Sequence, residues 1–533
     1  MPRRSTKQHL AVVSVTGALP RSPRRRARTY ALCLAVSVVA GVTAACGSGP
    51  SAPMGSETLR IAESHAPLSL DPALTTNDVI VNLAYAPLLE QKPDGSLAPG
   101  LATSWQYASA AAVPNTVFEL TLRSNAKFSD GSPVTAQSVK QSLEAFAKAK
   151  GPQAGSLNVK SVDAIGPVTV RINLGTPNPN VPLLLSNYVN AGGLIVGPNG
   201  LADPKVLTSG SDGAGPYRLD PSQTVAGDHY TLVPNSNYYD KGTVVWSKIT
   251  VKIVASPTSI LRAMQAGQFD VAEGDQSTAS AAEQDGLKVV STLGLTTALY
   301  IADRNGTIAK PLADARVRQA LSYSIDRKAV CRAIYGQYGA PTSLPEITLD
   351  GTDPAYENYY SYDVMKAKEL IGYAGYPDGF PLPILGFPGA PVQPLEQPVL
   401  QYFKAIGVNV NLVQPADTSD FASKIFSGNY PAYFIISPQQ PAALRVSTFY
   451  LPTSPFNPFH VSDPVVTSLY NDAIRSSDAS RFWKEIYGRV VTEGDSLGLC
   501  STSYFWYSAK NIGNLSVIGS GSLPYLPGLQ VRK

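Results

Sequence analysis

Short stretches in which apolar and polar residues alternate recur along the chain after residue 57. Alternation with a period of two predicts a strand with one buried face. Strands are predicted at Thr58–Ala62, Phe118–Arg123, Val168–Ile172, Ile249–Ile253, Phe269–Ala272 and Val408–Leu412, and a glycine turn entering a strand at Gly213–Leu219.

Apolar residues spaced by three or four lie between these strands and predict amphipathic helices. Thr135 and Asp363 are predicted helix caps, because their side-chain oxygens accept hydrogen bonds from free backbone N–H groups. Helices are predicted at Asn77–Leu89, Ser259–Ala266, Asp314–Ser324 and Phe482–Val491. A further helix starts at Thr135 and has Val139, Leu143 and Phe146 on its inward face. Another runs from Asp363 to Gly372 or Gly375. Strands and helices alternate throughout, so the predicted class is α/β or α+β.

The first 45 residues have a different pattern. They contain eight basic residues and no acidic residue, and they end in the uncharged apolar run Ala31–Ala45. This run is shorter than the roughly 20 residues that a membrane-spanning helix needs. A basic region, a short apolar region and small residues at its end predict a secretory signal peptide. Arg24, Arg25 and Arg26 leave a twin-arginine signal open as the export route, although the usual flanking residues are absent.

Val42–Ala45 followed by Cys46 looks like a bacterial lipobox, in which the cysteine thiol carries diacylglycerol and cleavage occurs just before it. The alternative is an ordinary signal peptide that ends near a cysteine. Residues 46–56 are rich in Gly, Ser and Pro and predict a flexible tether.

The charge balance and the number of cysteines are different once the predicted leader is removed. The whole chain has 43 basic and 39 acidic residues, and removing the eight basic residues of the leader leaves 35 against 39. A clustered basic face typical of nucleic-acid binders is not expected. Of the four cysteines, Cys33 leaves with the leader and Cys46 is the candidate lipidation site. Cys331 and Cys500 then remain, and in an oxidising compartment they are expected to form a disulfide, with two buried free thiols as the alternative.

Motifs for enzymatic chemistry are absent from the sequence. There is no H-E-x-x-H, C-x-x-C, G-x-S-x-G, P-loop or dinucleotide-binding glycine pattern. We therefore expect no catalytic residues, no metal and no cofactor. The chain instead has 27 tyrosines, with clusters at Tyr359–Tyr362 and Tyr504–Tyr507. Such side chains suit a ligand cleft, although most single tyrosines in a protein are ordinary core or surface residues.

Several longer motifs, in this order, resemble the extracellular solute-binding proteins of family 5, the peptide, oligopeptide and nickel receptors of ABC importers. The motifs are Ser69–Ala73, Ala84–Leu89, Asp94–Trp105, Leu122–Gly131, Thr135–Val139, Gly213–Tyr217 and Asp314–Arg327. The resemblance extends over about residues 57–530. The Ala- and Pro-rich composition and the long basic leader further suit an actinobacterial source.

The resemblance implies a periplasmic-binding-protein-like α/β fold of type II, with two lobes around a ligand cleft and an extra domain. By this resemblance, lobe I comprises residues 57–94, 206–290 and 505–533, the extra domain 95–205, and lobe II 291–504. Ligand binding is expected to close the lobes by selecting a pre-existing closed state.

The resemblance also implies where the ligand lies. Candidate ligand-binding residues are His65, Tyr85, Phe387, Ser437, Gln439, Gln440 and Arg445. Peptide-binding members have an aspartate for the peptide ammonium roughly where this chain has Gln440, and residues 430–450 contain no acid. Glutamine lacks the charge for that bond, which disfavours a short peptide with a free amino terminus. Arg445 is a candidate partner for an anionic group, with a solvated surface arginine as the alternative, and His65 has a structural hydrogen-bonding role as its alternative.

The first functional hypothesis is a lipid-anchored receptor of an ABC importer on the extracytoplasmic face of the cell membrane. Its partners are a peptide or polar small solute and the permease subunits, without nucleic acid, and the family default is a monomer. The second is a lipoprotein of the same fold with a non-transport role in cell-envelope glycolipid synthesis. The third, an extracytoplasmic hydrolase, is disfavoured by the missing motifs.

Overall fold

The computed structural model describes residues 58–76, 78–151, 153, 155–187, 191–519 and 521–531. The predicted leader, the tether and Cys46 lie outside the described residues. Within the described part of the chain, no helix combines the length and the apolar character that a bilayer span requires.

Strands and helices alternate along most of the described chain. The strands are β1 (Thr58–Glu63), β2 (Leu89–Gln91), β3 (Leu97–Pro99), β4 (Ala102–Tyr107), β5 (Val117–Leu122), β6 (Val159–Ile165), β7 (Thr169–Leu174), β8 (Tyr217–Leu219), β9 (His229–Pro234), β10 (Lys248–Ile253), β11 (Val271–Gly274), β12 (Lys288–Ile301), β13 (Ala340–Pro341), β14 (Phe380–Leu385), β15 (Val408–Val413), β16 (Ala432–Pro438), β17 (Ser496–Ser508), β18 (Ile512–Gly513) and β19 (Gln530–Val531). The α-helices are α1 (Val79–Ala84), α2 (Ala136–Lys148), α3 (Val181–Leu184), α4 (Pro198–Ala202), α5 (Pro257–Gln265), α6 (Gln276–Gln284), α7 (Ala315–Tyr323), α8 (Arg327–Tyr335), α9 (Val364–Tyr373), α10 (Gln393–Ala405), α11 (Thr418–Phe426), α12 (Ala442–Phe449), α13 (Pro464–Ala473) and α14 (Ser480–Thr492).

One large mixed sheet organises the molecule. Its order is β15-β14-β16-β12-β17-β11-β1-β10-β9-β8, with β13 paired to β17. The antiparallel strands β12 and β17 have 14 and 13 residues and are the longest in the described chain. One end of β17 pairs with β11, and the opposite end of β12 pairs with β16. The pair therefore joins a first half of the sheet, β1 and β8–β11, to a second half, β14–β16.

A smaller antiparallel sheet, in the order β4-β5-β7-β6, forms a separate layer with α2. The face predicted for α2 is confirmed, because Val139, Leu143 and Phe146 are buried in one cluster with residues of β5 and β7. Thr135 caps this helix as predicted, and the Ser138 hydroxyl oxygen accepts a hydrogen bond from the Thr135 backbone N–H, which completes a capping box.

The predicted helix Asn77–Leu89 is longer than the helix that forms. Helix α1 begins at Val79 after its cap Asp78 and ends at Ala84. Pro87 explains the early end, because a proline disfavours helical backbone at the residue before it. Residues from Leu89 onward pair with Leu97–Pro99 as β2.

The two remaining cysteines form a disulfide in the structure. Cys331 on α8 and Cys500 on β17 are bonded, with their Cα atoms 5.8 Å apart and 169 residues between them in sequence. Both side chains are buried in the core of the second half. The bond therefore fastens α8 to one of the two strands that the halves share.

The second half also contains a buried polar network around Glu346. Its carboxylate accepts hydrogen bonds from the hydroxyls of Tyr300, Tyr450 (3.1 Å) and Tyr487 (3.3 Å). Arg445 Nε lies 3.2 Å from the other side, at Oε2. Glu346 is 1% exposed and Arg445 5%. Burial, and next the charge of Glu346, raise the pKa of Tyr300, Tyr450 and Tyr487 well above the ordinary range, so these hydroxyls remain donors.

We expect the disulfide to stabilise the second half mainly by restricting the unfolded chain. Replacing Cys331 and Cys500 together with serine should lower the free energy of unfolding by about 2–5 kcal/mol. Urea unfolding with and without reductant measures this. The reductant should lower the stability of the oxidised protein and leave the double variant unchanged; equal behaviour of the two proteins would contradict the prediction.

Removing Arg445 should destabilise the protein, because it leaves the Glu346 charge buried without its cation. Arg445→Met should cost about 3–5 kcal/mol in urea unfolding, and adding Glu346→Gln should recover part of that loss. Arg481→Met is the matched control, since Arg481 is exposed and lies over the Phe482 ring at 4.4 Å. Equal losses for the two arginine variants would show that the Glu346 network contributes no special stability.

Candidate functional site

A cavity of about 690 Å³ is lined by residues from both halves of the sheet and from the strands between them. The first half contributes Glu273–Ser277, the second contributes Ala333–Tyr335, and the shared strand β17 contributes Thr502–Trp506. The remaining lining residues are Leu295, Ala390, Pro391, Pro394 and Ser522. Its size is in the range of small-molecule sites in proteins, and its lining comes from both halves.

The acidic wall of this cavity is positioned by strand pairing. Glu273 lies opposite Trp506 and Gly274 opposite Phe505 in the β11–β17 ladder. A Cβ atom on Gly274 would come within 2.1 Å of the Tyr507 ring, so only glycine lets the strand approach this closely. Asp275 then caps α6 by accepting hydrogen bonds from the backbone and hydroxyl of Thr278 (3.1 and 2.7 Å).

Glu273 is held from the loop after β1. Its Oε2 accepts hydrogen bonds from the Ser64 backbone N–H (2.8 Å) and hydroxyl (2.6 Å). His65 Nδ1 lies 3.7 Å from the same oxygen. These are the only hydrogen-bond and ion-pair partners of Glu273 among the described residues, so no lysine or arginine there neutralises it.

Two more carboxylates lie buried behind Glu273. Glu63 and Asp78 are 4% and 6% exposed. Burial raises the pKa of Asp78 to about 7 despite hydrogen bonds from Val81 and Ile80. Burial, followed by the charges of Asp78 and Glu273, raises the pKa of Glu63. Glu63 and Asp78 therefore keep their protons to a higher pH than exposed carboxyl groups do.

The part of the lining that β17 contributes has aromatic and hydroxyl-bearing side chains. Burial raises the pKa of Tyr504 to about 12, while nearby Arg445 lowers it and Glu273 raises it. Thr502 is 3% exposed, and its Oγ1 has no hydrogen-bond partner. Because an unpaired buried hydroxyl costs free energy, Thr502 is suited to bind a polar group that enters the cavity.

The structure places the predicted ligand-binding residues in several environments. His65 is at the edge of the cavity, 70% exposed and next to Glu273. Phe387 is partly buried, packs against Phe421 with ring centroids 5.1 Å apart, and lies three residues before the lining residue Ala390.

Tyr85, another predicted ligand-binding residue, is not among the residues that line this cavity. It is fully buried in a cluster with Leu194, Val196 and Leu207, and its hydroxyl donates to the Leu70 carbonyl at 3.0 Å. The motif around Tyr85 is therefore a packing motif in this chain.

The end of β16 and the segment that follows it lie near the cavity without lining it. Ser437 is 2% exposed and lies opposite Thr296. The backbone N–H of Gln439 donates to the Gly294 carbonyl at 2.7 Å, beside the lining residue Leu295. The Gln440 carbonyl accepts a hydrogen bond from the Leu349 N–H at 3.2 Å.

Arg445 is neither a solvated surface arginine nor one of the lining residues. It is buried against Glu346, and its guanidinium lies over the Phe449 ring at 5.0 Å. This overturns the surface interpretation: the side chain is held inside the second half by a carboxylate that is distant in sequence, which no local pattern reveals.

Glu273, Thr502 and Trp506 line the cavity but were not among the predicted residues. The Tyr504–Tyr507 cluster was the available signal for β17, and Glu273 follows directly after a predicted strand. Among the described residues, no group of three or more His, Cys, Asp or Glu side chains is arranged to hold a metal ion.

Comparison with known proteins places this geometry in a family. The model of the bacterial extracellular solute-binding proteins, family 5 Middle, matches residues 96–449. The chain is 30% identical over 339 residues to the probable D,D-dipeptide-binding periplasmic protein DdpA of Escherichia coli K12, covering 58% of this chain and 61% of that protein. It is 29% identical over 352 residues to the periplasmic murein peptide-binding protein MppA of the same organism, covering 59% and 62%. The chain thus spans about three fifths of the length of the curated relatives it matches.

The fold is shared more widely than the sequence. The ABC transporter substrate binding protein CtaP of Listeria monocytogenes superimposes with a TM-score of 0.76 at 19% identity, over 90% of this chain and 100% of that one. The fold is accordingly that of the type II periplasmic binding proteins. From the extended family match and this fold, we conclude that the chain belongs to the bacterial extracellular solute-binding proteins of family 5.

Proposed function

We propose that this protein is an extracytoplasmic, lipid-anchored solute-binding receptor of an ABC importer, which binds a peptide-like or other polar small solute by closure of two lobes. The observation that carries the proposal is the cavity of about 690 Å³ lined from both halves of the sheet. A ligand held there contacts both halves at once, so its binding free energy favours the arrangement in which they are close.

The connections between the halves suit a hinge. Strands β12 and β17 run through both halves, so bending of this pair changes the angle between them without breaking the core of either. We propose residues 57–94, 206–290 and 505–533 as lobe I, 95–205 as the extra domain and 291–504 as lobe II.

Among the described residues, two sets of side-chain hydrogen bonds join the proposed lobe II to lobe I or to the extra domain. Gln276 on α6 donates from Nε2 to the carbonyl of Ile334 on α8, and both residues line the cavity. Asn115, in the loop before β5, donates to the carbonyls of Ile474 (3.0 Å) and Ser476 (3.2 Å) after α13. An opening motion exposes these groups to water, so the proposed open and closed states differ by few hydrogen bonds, a difference that a ligand can outweigh.

The names of the relatives support peptide-like ligands, since they are described as binding dipeptides and murein peptides. Relatives of this kind are binding proteins, which fits a chain that is not an enzyme. The permease subunits are the proposed protein partners, and the receptor is proposed to be a monomer.

A lipid anchor at Cys46 completes the proposal. The basic leader, the apolar run and the small residues before Cys46 support it, and the tether of residues 46–56 supplies reach between the membrane and β1.

A second candidate is a non-transport role in cell-envelope glycolipid synthesis or its regulation. The observation that favours it is the absence of an acid from residues 430–450, where peptide-binding members of the family have their ammonium-binding aspartate.

Protein purified from its own host should contain a bound small solute detectable by native mass spectrometry. A solute at 100 times its dissociation constant should stabilise the folded protein by about 2.7 kcal/mol in thermal unfolding, because it binds only the folded state. A library of peptides, amino-acid derivatives and sugars provides the follow-up. If no solute co-purifies and none stabilises the protein, the receptor function is wrong and the envelope role becomes the better proposal.

Cys46→Ala should release the protein from the membrane fraction of its host, because the proposed acyl chains attach to this thiol. Cell fractionation and metabolic labelling with a palmitate analogue measure the effect. Cys33→Ala is the matched control and should leave both membrane association and labelling unchanged. Persistent membrane association of the Cys46 variant would exclude the anchor.

A further inference from the structure

Among the described residues, the charged side chains that line the cavity are all acidic. The lining includes two carboxylates, those of Glu273 and Asp275, and no lysine, arginine or histidine among the described residues. Asp275 is committed to capping α6. Glu273 has one oxygen engaged by Ser64, and its Oε1 has no hydrogen bond to any described residue. Among the described residues its one titratable basic neighbour is the exposed His65, whose Nδ1 lies 3.7 Å from Oε2, and no lysine or arginine pairs with it.

We infer that Glu273 binds a cationic nitrogen of the solute, an ammonium or guanidinium group, and so supplies from the first half of the sheet the charge that residues 430–450 lack. The inference rests on the proposed receptor function and names the chemistry of its ligand.

The surroundings of Glu273 favour a cation at this position. Ser64 fixes the carboxylate with two short hydrogen bonds, of 2.8 and 2.6 Å, so the side chain is oriented before the solute arrives. Trp506 lies directly opposite Glu273 in the strand ladder and lines the same cavity, and indole rings attract cations.

An independent observation marks the other end of the solute. Thr502 lines the cavity four residues along β17 from Trp506, which is roughly 13 Å of extended strand. Its hydroxyl is buried and has no partner. The cationic end therefore lies at Glu273, and a neutral hydrogen-bonding group of the same solute reaches Thr502.

The test compares full-length Glu273→Gln with wild-type protein, both purified from the native host. Glutamine keeps the size of the side chain and removes its charge. Native mass spectrometry measures the occupancy, and amine- and guanidine-selective labelling of the released solute identifies its nitrogen. Titration with the solute recovered from wild type, and with its N-acetylated form if it is an amine, measures the affinity.

We expect the released solute to carry a cationic nitrogen and to bind Glu273→Gln about 10- to 100-fold more weakly than wild type. Glu369→Gln is the charge-matched control, because Glu369 is exposed on α9 outside the cavity lining, and it should bind as wild type does. Thr502→Val, which removes only the hydroxyl, is the second variant and should weaken binding by about 3- to 10-fold while leaving the preference for the cation unchanged. Matched thermal unfolding of the solute-free proteins checks that each variant is folded.

Two failures are distinguishable. A co-purified solute without a cationic nitrogen, or one that binds wild type and Glu273→Gln equally, overturns this inference and leaves the receptor function standing. Absence of any bound or stabilising solute overturns the receptor function, and this inference with it.

Discussion

The antiparallel pairing of β12 with β17 is the constraint on which the rest of the structure depends. Each strand is long enough to belong to both halves of the large sheet, so every strand of the first half and every strand of the second half is held relative to this pair. The same pair carries part of the cavity lining, the disulfide and the ladder that places Glu273. The proposed lobe closure would therefore act through this pair of strands.

The sequence patterns predicted most of the strands and helices that have one buried face, but they did not predict β12 or β17. β1, β5 and β10 have one face in the core and one closer to solvent, and their alternation made them recognisable. Most of β17 and the second part of β12 are buried on both faces, so apolar, small and hydroxyl-bearing residues follow one another without a period. The motifs gave the family, because they recur at tight turns and helix caps, where local geometry restricts the residue type.

The candidate site was less predictable because its residues are distant in the chain. Glu273 acquires its orientation from Ser64, 209 residues earlier, and its neighbour Trp506 from strand pairing. Arg445 resembled a free cation in the sequence, yet its charge is balanced by Glu346, which lies in an irregular segment. Tyr85 is part of a family-like motif, but its burial assigns it to packing. The spacing of apolar residues shows which face of a helix or strand is buried. The roles of these residues depend instead on which elements contact one another in the folded chain.

The disulfide has a topological consequence. Since Cys331 and Cys500 are bonded, residues 331–500 form a covalently closed ring that contains β13–β16 and all the helices from α9 to α14. A protease that cuts one peptide bond anywhere inside this ring opens it without releasing a fragment, and both pieces remain attached to β17. In a compartment outside the cytoplasm, where proteases are common and reductants scarce, a nicked molecule retains every element of its cleft.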